Sequence, residues 1–327
     1  MAPSPAQHAG CLLGLALGDA LGFVVEAEPP DVAAAYVAEL RAGKGGFRSH
    51  PRFPFGQYSD DTQLARELLL SIRDAGAFDA RAFACRIAAL FSSGTDVGAG
   101  PGSRGAGLRL AAGVPWNQAG APAPYAGNGS AMRAAPIGLL FAHDPTMLVR
   151  VAVQQSLVTH QDPRCAAGAV AVAGAAAMAA RGGAIDPVQW TSELGALVRP
   201  IDAGMAEAIG LVAGWVARPA QQAAAALEAA GLDPGSTGRR QGISAHVVPS
   251  VAWALYAFLH APDAYLEAVC AAIEVGGDTD TIGAMAGSLA GARLGRAALP
   301  ERLTSVLNDR GGWGSEELAG LSGPALG

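Results

Sequence analysis

Apolar residues recur at three- and four-residue intervals through most of this chain, the spacing of one helical face after another. From Gly10 to Glu26, the positions Leu12, Leu13, Ala16, Leu17, Ala20 and Leu21 predict a helix that Pro29 and Pro30 stop. Gly14, Gly18 and Gly22 fall every fourth residue and leave one smooth face, suited to close approach by a second helix. The stretch Gly43 to Tyr58, rich in glycine, proline and aromatics, reads as a long loop. A helix then begins in Ser59-Asp60-Asp61-Thr62 and continues through Leu64, Leu68, Leu69 and Ile72, since serine and aspartate are good N-caps. Further helices are predicted over 80–91, onward from Leu108, and over 132–141, 145–158, 164–181, 187–197, 203–216, 219–230, 247–259, 264–274 and 281–293. Gly-rich or polar stretches at 92–107, 115–129 and 233–242 separate them. No segment alternates like a strand and no repeat is present, so the expected architecture is all-α, a single compact multi-helix domain over 1–327.

Composition narrows the class. Hydrophobic residues make up 51% of the 327 positions and charged ones only 15%, so the chain must hide most of itself from water. A formal charge of −6 argues against a broad grip on nucleic acid or on an anionic membrane. The four cysteines lie far apart without a CxxC pair, as reduced thiols do, and the six histidines form no HExxH. The N-terminus lacks a basic stretch ahead of an apolar core, so no signal peptide is expected. Ala166 to Ala180 is apolar but short and mostly Ala and Gly, which predicts a buried helix rather than a membrane span. A cytoplasmic monomer is the expectation.

Against so little charge, two acidic clusters stand out: Tyr58-Ser59-Asp60-Asp61-Thr62 and Gly276-Gly277-Asp278-Thr279-Asp280-Thr281. Each combines carboxylates with hydroxyls where a loop enters a helix. Either one alone is more readily a helix N-cap carrying extra acid, and only for the pair do the two readings stand level. Together they offer oxygen-only ligands of the kind that suit Mg²⁺, Mn²⁺ or Ca²⁺, and a cation would offset the repulsion between neighbouring carboxylates. Glu26 closes the first predicted helix, where a negative side chain opposes the helix dipole. Gly127-Asn128-Gly129-Ser130-Ala131-Met132-Arg133 is a turn that could also cradle a phosphate through exposed backbone N–H groups. Asp96-Val97-Gly98 lies on a loop suited to touching substrate, and Thr159-His160 follows a helix, where a histidine is usually structural.

Taken in order, these segments resemble the ADP-ribosylglycohydrolase family. The matching runs are GDALGFVVE at Gly18 to Glu26, SDDT at Ser59 to Thr62, DVG at Asp96 to Gly98, GNGSAMRAAPIG at Gly127 to Gly138, TH at Thr159-His160 and GGDTDTIGAMAGSLAGARLG at Gly276 to Gly295. The resemblance implies an all-α fold with two divalent cations, Mg²⁺ or Mn²⁺, in a central cleft. It implies metal ligands at Ser59, Asp60, Asp61, Asp278, Asp280 and Thr281, with Glu26 a further ligand or a gate. It places Asn128, Gly129, Ser130 and Met132 around the diphosphate and ribose, His160 and Gly98 near the same ligand, and Asp96 near the leaving group. Ser59 stands where the family usually has Thr, and Glu274 is an acid the family pattern lacks.

The implied reaction is hydrolysis of the bond between ADP-ribose and a modified protein or small molecule. Asp60, Asp61 or Glu26 would handle the proton of an attacking water, and Asp96 would orient a guanidinium, which makes arginine the first expected linkage. Two rivals remain at this level: a two-metal phosphohydrolase of a nucleotide-like substrate, and a non-catalytic ADP-ribose-binding relative.

Overall fold

In this computed structural model, the described residues are 2–43, 49–230 and 242–321. Positions 44–48 of the first loop and most of the polar stretch 233–242 lie outside them. In chain order the helices are α1 (Pro5–Phe23), α2 (Pro30–Arg41), α3 (Asp60–Ala75), α4 (Ala80–Ser92), α5 (Pro101–Ala111), α6 (Trp116–Ala119), α7 (Ala135–Leu140), α8 (Pro145–Thr159) and α9 (Pro163–Ala180). They continue with α10 (Pro187–Val198), α11 (Ala203–Trp215), α12 (Ala220–Ala229), α13 (Val247–His260), α14 (Tyr265–Ile273), α15 (Thr279–Leu294), α16 (Glu301–Thr304) and α17 (Ser315–Ala319). Among the described residues there are only isolated bridges and no sheet, so the all-α expectation holds.

Aspartate and proline set many of the helix starts. Asp144, Asp162 and Asp186 each cap a helix whose first residue is proline, and each accepts a hydrogen bond from a backbone N–H of the first turn. The same preference corrects the sequence reading at Pro30. That residue opens α2 instead of merely ending α1, because its missing N–H costs nothing at a first helical position. Likewise α7 starts at Ala135, with Pro136 in its first turn, and residues 129–133 form a turn ahead of it.

The centre of the molecule is the antiparallel pair α1 and α15. Gly10, Gly14 and Gly18 face Gly291, Gly287 and Gly283, while Gly22 faces Thr279. A methyl group at any of these α1 glycines would collide with a backbone carbonyl of α15. The helices therefore touch backbone to backbone, and Tyr265 on α14 locks the seam by donating its hydroxyl to the Gly14 carbonyl at 2.8 Å. Helix α9 satisfies the length and composition of a membrane span, yet 83% of it is buried inside the protein. It packs beside α15, α8 and α13 as a core helix. The four cysteines are free thiols, three of them buried.

Candidate active site

Because α1 and α15 run in opposite directions, the end of the first helix lies beside the beginning of the last. That register sets Asp19 and Glu26 next to Asp278 and Asp280. Helix α3 brings its own first turn to the same place, and Asp19 is what holds it there. Its Oδ1 accepts from the Ser59 N–H at 2.8 Å, and its Oδ2 accepts from the Thr62 N–H at 3.0 Å and the Thr62 hydroxyl at 2.6 Å. A carboxylate at a helix N-terminus is favoured by both the free N–H groups and the dipole.

Two trios of acids result. Asp19, Asp61 and Asp280 offer oxygens all within 4.8 Å of one another, and so do Glu26, Asp278 and Asp280. Asp61 Oδ1 accepts a hydrogen bond from the Thr281 hydroxyl at 3.3 Å, whereas its Oδ2 is buried with no partner among the described residues. A buried carboxylate oxygen left unpaired is costly unless something positive meets it. With three hydrogen bonds already accepted, Asp19 acts chiefly as a brace, which leaves Asp61 and Asp280 as the better ligands of the first trio.

Electrostatics agree with a site built for cations. Burial together with Asp278 and Asp19 pushes the Glu26 carboxyl up to about 7. Burial raises Asp19 to about 6 against the opposing pull of its hydrogen bonds. Asp60, Asp61 and Asp280 are all driven well above the usual carboxylate range, first by burial and then by neighbouring carboxylates, Asp19 among them in each case. Asp278 is raised by burial, while Asn128 and Thr281 pull the other way. Asp19, Asp60, Asp61 and Asp280 are almost fully buried and Asp278 and Glu26 are half-buried, so the cluster would repel itself if fully ionised without a counter-charge.

The acids form the floor of a cleft of about 240 Å³, lined by Glu26, Asp60, Asp278, Asp280 and Thr281 on one side. Gly98, Ser103, Tyr125, Gly127, Asn128, Gly129, Met132 and His160 line the other. In the turn at 128–132, the N–H of Asn128 goes to the Ala245 carbonyl, and those of Ala131 and Met132 go to the Asn128 carbonyl. The N–H groups of Gly129 and Ser130 meet no partner among the described residues, which is the arrangement of an anion-binding turn. The Asn128 amide donates to Ser250 Oγ at 2.7 Å and to Asp278 Oδ2 at 2.5 Å, tying the turn to the acids.

Most residues singled out from the sequence meet here, and several sit differently from expectation. Glu26 lines the cleft from the turn after α1, because the helix stops at Phe23, and so the helix-dipole argument made for it does not apply. Ser59 is the N-cap of α3, its hydroxyl accepting from the Asp61 N–H. The Ser130 hydroxyl points away from the cleft, donating to the Cys165 carbonyl and accepting from Ser156. Asp96 is buried beside the cleft wall and ion-paired to Arg104 at 2.5 Å, outside the lining itself. Glu274 faces away and pairs with Arg41 at 2.7 Å. Sequence reasoning missed Asp19 and Arg133. For both, the available signal was an ionisable residue in the middle of a small, apolar run.

Comparison with known proteins gives the family. The family model for ADP-ribosylglycohydrolase matches residues 4–323. The chain is 28% identical over 305 residues to the ADP-ribosyl-[dinitrogen reductase] glycohydrolase of Rhodospirillum rubrum, covering 91% of this chain and 89% of that protein. It is 30% identical over 332 residues to the ADP-ribosylhydrolase ARH3 of Homo sapiens, covering 92% and 88%. A solved structure, an ADP-ribosylglycohydrolase-related protein complex, superposes with a TM-score of 0.71 at 28% identity, over 98% of this chain and 97% of that one. The chain belongs to the ADP-ribosylglycohydrolase family, enzymes that hydrolyse the glycosidic bond of ADP-ribose.

Proposed function

We propose that this protein removes ADP-ribose from a modified protein or small molecule with the help of two divalent cations, Mg²⁺ or Mn²⁺, and that the linkage it cleaves is to arginine. The observation that carries the reading is the convergence of five clustered acids, with Asp60 lining the same cleft, from both ends of the chain beneath a glycine turn, with Asp61 Oδ2 buried and unpaired among the described residues. All the candidate ligands are oxygens, which suits hard cations. Asp61, Asp280, Asp278, Glu26 and Thr281 would hold them, with Asp60 alongside and Ser59 capping the helix. Bound there, such cations supply Lewis acidity and a positive surface for the hydroxyls of the ribose.

The protein's own groups do the rest. The turn at 128–132 offers Gly129 and Ser130 N–H groups to a diphosphate, and Met132 and His160 close the pocket around it. Glu26 lines the cleft, and as an ionised carboxylate beside the cations it is placed to take a proton from the attacking water. Departure of the target leaves oxocarbenium-like charge on the sugar, which the acids beneath it offset. The Asp96 carboxylate already binds a guanidinium, that of Arg104, and an arginine leaving group would exchange with it.

The test is product release from a panel of ADP-ribosylated compounds, with and without Mg²⁺ or Mn²⁺. Free ADP-ribose from the arginine-linked compound, abolished by EDTA and by Asp280→Asn, is the expected result. Release of AMP or phosphate instead would point to a phosphohydrolase. Binding of ADP-ribose without any turnover would point to a non-catalytic relative.

A further inference from the structure

Arg133 is fully buried, and no carboxylate pairs with it among the described residues. Its hydrogen bonds all go to neutral groups, and the Asp60 carboxylate acts on it only through its field. Nε donates to Gln155 Oε1 at 2.7 Å, Nη1 to the Gly129 carbonyl at 2.9 Å, and Nη2 to the Gln155 carbonyl at 3.0 Å and to Thr159 Oγ1 at 2.8 Å. It also lies over the Phe83 ring, 5.3 Å from its centroid. A buried cation held this way is expensive, and its bonds run to two features of the cleft: the glycine turn and, through Thr159, the imidazole of His160.

The Thr159 hydroxyl has one proton to give. It is buried, it already accepts from Arg133, and its other neighbour is His160 Nδ1 at 2.9 Å. Were Nδ1 protonated, the hydroxyl would accept twice and its own proton would have no acceptor. The arrangement is satisfied when Thr159 donates to an unprotonated Nδ1, which leaves the imidazole proton on Nε2. That atom lies at the glycine wall, 2.7 to 3.4 Å from where methyl groups on Gly102, Gly127 and Gly129 would stand. Burial and the nearby Arg133 cation hold the ring neutral, its affinity for a second proton pushed down to about 3.

We propose that Arg133 is a positioning residue that, through the Thr159 hydroxyl, fixes His160 as the neutral Nε2–H tautomer, so that the ring donates a hydrogen bond to an oxygen of the bound nucleotide at the glycine wall. The nature of that oxygen rests on the function proposed above, whereas the tautomer does not. A histidine at this place in any other tautomer would turn a lone pair, not a proton, toward an anion.

Nitrogen-15 NMR of the histidine-labelled, ligand-free protein reads the tautomer directly. A pyridine-type Nδ1 and a pyrrole-type Nε2 at His160 are expected in the wild type and in Thr159→Ser, which keeps the hydroxyl. In Thr159→Val the two forms should mix, and ADP-ribose, followed by calorimetry, should bind about tenfold more weakly, the scale of one lost hydrogen bond. Arg133→Lys should also mix the tautomers while Thr159 stays in place. A pyrrole-type Nδ1 in the wild type, or a Thr159→Val protein with an unchanged tautomer and unchanged affinity, overturns the proposal. A correct tautomer in a wild type that fails to bind ADP-ribose would instead overturn the glycohydrolase reading and leave the tautomer assignment standing.

Discussion

Stripped of cations, the protein is expected to lose stability as the pH rises from about 4 to about 7. In the folded chain Glu26 keeps its proton to about 7 instead of the ordinary 4.5, and Asp19 to about 6 instead of 3.8. Across that window the native state binds more protons than the unfolded chain, so the free energy of unfolding falls as pH climbs. The contribution is fully present below the unfolded values and gone above the folded ones. At 1.36 kcal/mol per pH unit, Glu26 alone accounts for about 3 kcal/mol. Asp19 adds up to a similar amount, and Asp60, Asp61, Asp278 and Asp280 shift in the same direction. Divalent cations should reverse the slope by favouring the ionised acids. At a hundredfold excess over the dissociation constant, one bound cation contributes about 2.7 kcal/mol, or roughly 4 °C in the melting temperature of a chain this long. Urea unfolding in EDTA and in Mg²⁺, from about pH 5 to about pH 8, measures both effects. Stability in EDTA that is flat or rising over this range would refute the reasoning. So would a Mg²⁺ effect that survives undiminished in Asp280→Asn.

Other consequences follow from the same contacts. Asp19→Ala orphans three buried donors, and urea denaturation should show a loss of about 3 kcal/mol or more, together with lost turnover. Gly18→Ala forces α1 away from α15 and should cost about 1–3 kcal/mol while lowering activity, whereas Gly210→Ala, where an added methyl meets open space, should be neutral or gain up to about 1 kcal/mol, both read by urea denaturation. Arg104→Ala frees Asp96 and should lower the KM for an arginine-linked substrate by roughly two- to fivefold; an unchanged KM would remove Asp96 from leaving-group recognition.

How much of this was legible in the sequence follows from which residues carried a visible pattern. Helices of strong period, such as α8, α9 and α13, were read close to their true extent because their apolar faces are long and uninterrupted. The glycine spacing of α1 announced a close contact, but the partner was visible only as a second run of small residues in α15, with nothing local to pair the two. Helix α2 was lost because proline signals both an end and a beginning. The acidic clusters and the glycine turn stood out because charge and glycine are conspicuous there. Asp19 did not, since it sits between Gly18 and Ala20 on a face that reads as core, and its task is to brace α3, a contact across 40 residues of sequence. Arg133 was hidden for the same reason: apart from the Gly129 carbonyl, its hydrogen-bond partners lie on α8. The inward turn of the Ser130 hydroxyl depends on where α8 and α9 pack, which no local pattern records.

The central claim is that acids from both ends of the chain share a pair of hard cations. Anomalous diffraction from crystals of the stripped protein soaked in Mn²⁺ tests it most directly. Two peaks are expected, one beside Asp61 and Asp280 and the other beside Glu26, Asp278 and Asp280. A map with no peak among these carboxylates, from crystals whose protein still releases ADP-ribose, would contradict it.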